Sequence, residues 1–286
     1  MTEIKCRITN NKFISAIYFA LLQCGYDYHL IGKEKSLESE FSVFYKKENF
    51  PFFSYAKQNT CDSYSYWPRA ALLETACYYI NTDIFEWNNF GEYKEFIMKA
   101  SNLTSEERND NFLKWVYEFP PALKEVVQNR LFKSYLDWED KWIAKQNENH
   151  KDDLATLKKR IEFCAEYYGT AYTNLEILLS PIKCFYSCDH HFTDKTFVFS
   201  SGNFSIDGIT HEFLHHIIHP IIERNKAKII NSCCDFFEID PSYYLSGGDT
   251  GKLNSFEEQT VRIITQRFAD NLPVKSIDRF ISDMLK

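Results

Sequence analysis

The segment HEFLHHIIHP, from His211 to Pro220, holds four of the chain's eight histidines, interleaved with Phe213, Leu214, Ile217 and Ile218. Residues four apart on a helix sit one turn above each other, so His211 and His215 share one side. The apolar residues around them require burial, and burial takes the polar stripe with it. Buried imidazoles and a carboxylate need partners. Any fold of this chain must therefore sequester one helix and also satisfy that stripe. The spacing predicts a helix from Asp207, as N-cap, to Ile218, with Pro220 marking its end.

The rest of the chain supplies the setting. Only 9 Gly and 8 Pro stand among 25 Phe and 18 Tyr, which favours packed helices over a loop-rich scaffold. Helices are expected at Ile14 to Gly25, Tyr66 to Ile80 and Thr104 to Phe119. A long amphipathic helix is expected from Pro121 to Gln146, and another from Leu154 to Tyr168. The polar run Asn147 to Asp153 reads as the break between the last two. After Gly169 the texture becomes β-compatible, in Asn174 to Cys188 and in TFVFSS, Thr196 to Ser201. Helices followed by a small sheet and then the motif helix define an α+β class. Residues 1–160 are expected as a mainly helical region and 161–286 as a metal-binding region, the two forming one compact unit.

Composition excludes several classes. The net charge of −7 gives no basic footprint for nucleic acid. No apolar run reaches membrane-spanning length, and the N-terminus lacks a secretory pattern. The nine cysteines, an odd number spread from Cys6 to Cys234, read as reduced thiols of a cytoplasmic protein. Cys184 and Cys188, and the adjacent Cys233 and Cys234, lack the paired knuckles of a structural zinc site. His190 and His191 read as exposed loop residues.

His211-Glu212-Phe213-Leu214-His215 matches H-E-x-x-H, a pattern with about 0.02 chance occurrences in a chain of this composition. Two histidines so spaced can ligate one Zn²⁺ through ring nitrogens. Glu212 lies about 100° around the helix, placed to hold the metal's water rather than the metal, as a general base does. A third ligand must come from elsewhere. His219 continues the series but drifts around the helix. Ile218 and Ile221 occupy the positions where the elongated H-E-x-x-H-x-x-G-x-x-H pattern needs Gly and His. The better candidate is Glu258 in NSFEEQTVRIITQRF, a predicted helix capped at Asn254 or Ser255. Val261, Ile264, Phe268 and Ile263 form its apolar side. Arg262 shares the face of Glu258 and keeps it ionised, while Glu257 points away as a solvated or helix-dipole charge.

HEFLHHIIHP followed by EQTVRII resembles the glutamate-type zincins (gluzincins). More narrowly, it is similar to an uncharacterised bacterial group that pairs H-E-F-x-H-x-x-x-x-P with E-x-x-V-R-A-I and carries an L-x-P strand upstream. Leu179-Ser180-Pro181 stands in that place. The resemblance covers Asn174 to Asp270. It implies a zincin-like metal-binding region with His211, His215 and Glu258 as zinc ligands and Glu212 as base. The chain departs from the pattern in Ile263, where a small residue is expected, and in the extra His216 and His219. In zincins the strand before the motif helix is a sheet edge that pairs with substrate, which here would be Thr196 to Ser201.

The expected activity is zinc-dependent hydrolysis, with a peptide or protein as substrate. Zn²⁺ lowers the pKa of its water towards ~7 and Glu212 takes the proton. Tyr243, Tyr244 or His219 would stabilise the oxyanion. Two alternatives stand beside it: a zinc-binding protein-interaction module without turnover, and a zinc hydrolase of small amides.

Overall fold

The computed structural model describes residues 4–23, 42–45, 123–168, 174–183, 188–193, 196–232 and 248–272, with a few single positions, Phe50 and Glu74 among them. The expected helices at Tyr66 to Ile80 (Glu74 apart) and Thr104 to Phe119 lie outside the described residues, as do Cys184, Cys233, Cys234, Tyr243 and Tyr244. The architecture is α+β, mostly helical, with a four-stranded mixed sheet. Among the described residues, no helix is long and apolar enough to cross a membrane. Burial pushes the thiol of Cys164 up to about 12.

The chain divides into two units that interleave along the sequence, each drawing on residues from both sides of position 160. One comprises residues 5–151 and 174–204, the other 1–4, 152–173 and 205–286.

The first unit holds the sheet. Strands β1 (Lys5–Thr9), β2 (Asn174–Leu179), β3 (Cys188–Thr193) and β4 (Thr196–Ser201) lie in the order β1-β2-β4-β3. β2 runs parallel to both β1 and β4, with Ile177 opposite Ile8 on one side and Phe199 on the other. NLEILL alternates at its start, where Asn174 and Glu176 are half-buried, and is buried on both faces only from Ile177 to Leu179, where it becomes a continuous apolar run. β4 pairs with β2 on one side and antiparallel with β3 on the other. The edge assignment for Thr196–Ser201 is therefore corrected: β4 is an inner strand, and both of its backbone edges are taken. Its neighbour CDHHFT is an outer strand among the described residues, and that position tolerates the polar composition that makes it read as a loop. His190 lies on this strand, exposed, stacked against Phe197 at 6.2 Å.

β1 was equally hard to foresee, being five residues with two charges or polar groups at exposed positions. Its outer edge is closed by a side chain. The Asn147 amide accepts from Ile8 N at 3.1 Å and donates to Ile8 O at 2.8 Å, as a neighbouring strand would.

Helix α1 (Lys12–Gln23) is capped by Asn11, whose side-chain oxygen accepts from the amides of Phe13 and Ile14. It is buried from Ile14 to Gln23, as befits a helix that is apolar nearly all round. Phe19 meets Phe132 at 5.4 Å and Tyr135 at 5.3 Å from α2 (Arg130–Asn149). The helix expected from Pro121 is interrupted. Residues 123–128 are helical, and Asn129 then starts α2 by accepting from Leu131 N and Phe132 N. Asn is among the strongest N-caps, and here it competes successfully with helix continuation. His150 ends α2 and Lys151 starts α3 (Lys151–Tyr168), so the break falls inside Asn147 to Asp153 as expected.

Among the described residues, two buried charge clusters lie in this unit. Lys183 is fully buried and donates to Glu74 (2.8 Å), Asp189 (2.7 Å) and Ser200. Tyr18 donates its hydroxyl to the same Glu74 carboxylate. A buried ammonium with this many acceptors is compensated, and removing any one partner would strand the others. In the second cluster Glu139 accepts from Ser15 (2.6 Å), Tyr135 (2.7 Å) and Asn10 (3.1 Å).

Burial outweighs these donors and pushes Glu139 up to about 7, against an ordinary 4.5. The folded state therefore binds this proton more tightly than the unfolded chain. The associated stability is complete below about pH 4.5 and is lost as pH rises through about 7. Urea unfolding of wild type and Glu139→Gln across pH 4.5 to 7.5 should show the wild type losing up to about 3 kcal/mol relative to the variant. A constant difference between the two would remove Glu139 as the cause.

Candidate metal centre

The motif helix and the glutamate helix belong to the second unit. Helix α4 (Ile206–Ser232) starts at Ser205, whose hydroxyl accepts from Gly208 N at 3.0 Å and whose carbonyl accepts from Ile209 N. Ser205 is thus the cap in place of Asp207. Asp207 occupies the first turn, where a negative charge favours the helix dipole, and pairs with Arg160 of α3 at 2.7 Å.

α4 runs 27 residues, straight past Pro220, so the expected end there is also corrected. Proline removes one N–H and crowds the preceding turn, a penalty of about 3 kcal/mol. Burial of Ile221, Ile222 and Ile229 beyond it continues the apolar side begun by Ile209, Phe213, Leu214, Ile217 and Ile218. That packing offsets the missing hydrogen bond.

Helix α5 (Gly248–Ala269) packs against α4. It begins before the Asn254 or Ser255 cap read from the sequence, and Ser255 is buried within it. Gly248 opens it at φ 58°, a conformation that favours glycine. Phe256, Val261 and Ile264 are buried, whereas Ile263 is 37% exposed and does not join the apolar side. Phe268 is half-buried, edge-on to Phe163 at 5.9 Å and under the Arg160 guanidinium at 5.4 Å.

Between these helices His211, His215 and Glu258 converge. His215 Nε2 lies 3.1 Å from His211 Nε2 and 3.1 Å from Glu258 Oε2, and His211 Nε2 is 3.5 Å from that same oxygen. Three corners of a tetrahedron drawn at 2.0–2.1 Å around a zinc ion are about 3.3 Å apart. The donor set, its spacing and its half-buried position fit such an ion. Glu258 divides its oxygens: Oε1 accepts from Arg262 Nε at 2.7 Å, which leaves Oε2 for the histidines.

The electrostatics favour a cation at this point. Burial acts against a charge on His215, but hydrogen bonds to Glu257 and Glu258, with the Glu212 carboxylate nearby, outweigh it and raise the imidazole to about 9. Burial likewise opposes ionisation of Glu258, yet His211 and His215 hold its carboxyl down at about 2. Such mutual shifts describe a cluster that holds positive charge among its carboxylates. Glu212 is half-buried on the adjoining side of α4.

Two residues depart from the sequence reading. Glu257 is not solvated: it is 8% exposed and accepts from His215 Nδ1 at 2.9 Å and His219 Nδ1 at 2.8 Å. His219 is therefore bound to Glu257 and stays outside the three-residue group. The signal for Glu257 was present in the His211, His215, His219 series, since a third histidine one turn on offers a second nitrogen to a facing carboxylate. It needs the partner helix to be legible.

No protein-family model matches the chain, and neither a curated protein nor a solved structure matches it at a significant level.

Proposed function

We propose that this protein is a zinc-dependent hydrolase of peptide bonds, with His211, His215 and Glu258 holding the metal in the manner of the glutamate-type zincins. The observation that carries the proposal is the convergence of three ligand atoms, from two helices, at the separations a tetrahedral ion requires. Zinc bound there would act as a Lewis acid on a carbonyl and bring the pKa of a water down towards ~7.

The protein's own groups supply the rest. Glu212 is the proton acceptor for the attacking water and the donor to the leaving amine. Arg262 holds Glu258 through Oε1 at 2.7 Å, and the three carboxylates of Glu212, Glu257 and Glu258 retain the cation. A purely structural site has no use for Glu212, which favours turnover over a binding module.

Zinc-loaded protein incubated with a complex peptide mixture should generate new termini, read by mass spectrometry, and a chelator should stop their appearance. A wild-type protein that takes up no zinc at micromolar concentrations overturns the proposal.

A further inference from the structure

We infer that Glu257 is a positioning residue, which orients the His215 ring so that Nε2 faces the metal position. This rests on the zinc reading above. An imidazole ligates through one nitrogen, and the hydrogen bond at the other sets both tautomer and ring plane. His215 Nδ1 lies 2.9 Å from Glu257 Oε1, and its opposite nitrogen is the one 3.1 Å from both His211 Nε2 and Glu258 Oε2. One ring is thus gripped at both nitrogens by consecutive residues of α5, Glu257 at Nδ1 and Glu258 at Nε2.

Glu257 is itself held. Its second oxygen accepts from His219 Nδ1 at 2.8 Å, and its neighbour Phe256 is fully buried. Both Glu257 oxygens are therefore engaged by Nδ1 atoms, on the side of the His215 ring away from Nε2. That placement makes Glu257 an orienting group and excludes it as an alternative to Glu258 in the same coordination shell. His219, with 59% of its side chain exposed, braces the outer oxygen from the solvent side. A carboxylate contributed by α5 one residue before Glu258 couples the docking of α5 to the aim of α4's histidine.

The test uses full-length protein, stripped of metal and titrated with zinc against a chromophoric chelator, with circular dichroism to verify folding. Glu257→Ala should bind zinc about 10–100-fold more weakly than wild type, as removal of an outer hydrogen-bond partner does. Glu257→Gln keeps an acceptor oxygen for Nδ1–H and should fall between the two. The Co²⁺-loaded visible spectrum should shift in the same order, which a merely structural role would not produce.

If Glu257→Ala does not fold, Glu257→Gln decides: a weaker affinity with a shifted Co²⁺ spectrum supports the inference. Wild-type affinity and an unshifted spectrum in the folded variants overturn it while leaving the zinc reading intact. A wild type that binds no zinc overturns both.

Discussion

Glu212→Gln is expected to retain wild-type zinc content and to lose peptide hydrolysis by about 10²–10⁴-fold, the usual contribution of a positioned general base. Glutamine preserves the size and hydrogen-bonding reach of the side chain but cannot accept a proton from water. The residue adjoins the ligand stripe at roughly 100° around α4, so its loss removes no ligand atom. Its negative charge also contributes to the raised proton affinity of His215, so the substitution should weaken zinc only slightly. Elemental analysis and initial rates on the same preparations separate the two effects. Activity within a few-fold of wild type would contradict the assignment of the base, and loss of zinc would move Glu212 into the ligand set.

His211→Ala and His215→Ala are expected to abolish stoichiometric zinc, with affinity reduced beyond the ~100-fold that outer-shell changes reach. On the proposed function each removes one of three zinc ligands, and two would not hold a catalytic zinc in place. Glu258→Ala should behave alike, for it takes away the oxygen that stands 3.1 Å from His215 and 3.5 Å from His211. Its effect should exceed that of Glu257→Ala. Thermal melts without metal should stay cooperative in all three, since the ligands are only half-buried while the packing is carried by Phe213, Leu214, Ile218, Phe256, Val261 and Ile264. Full zinc occupancy in either histidine variant would dissolve the centre as described.

What could be read directly from the residues was local. The i, i+4 placement of His211 and His215 follows from helical pitch, and the apolar side of α4 follows from Phe213, Leu214, Ile217 and Ile218. The α+β class was legible in the change of texture after Gly169, because the inner strands NLEILL and TFVFSS are rich in β-branched, aromatic and other apolar residues. Glu258 with Arg262 at one helical turn was legible for the same reason of pitch.

Tertiary structure decided the rest. β1 and β3 are short strands, the outer ones among the described residues, whose composition is too polar to announce them, and only pairing with β2 and β4 makes them strands. The same pairing put β4 inside the sheet. Pro220 reads as a terminator because its cost is local, whereas the burial of Ile221, Ile222 and Ile229 that overrides it belongs to the packed unit. Glu257 reads as solvated because a single helix shows only its own periodicity. The rotation of α5 against α4 determines that two consecutive carboxylates reach opposite nitrogens of one imidazole. Pitch places side chains on a helix, but only the docking of a second helix decides what they face.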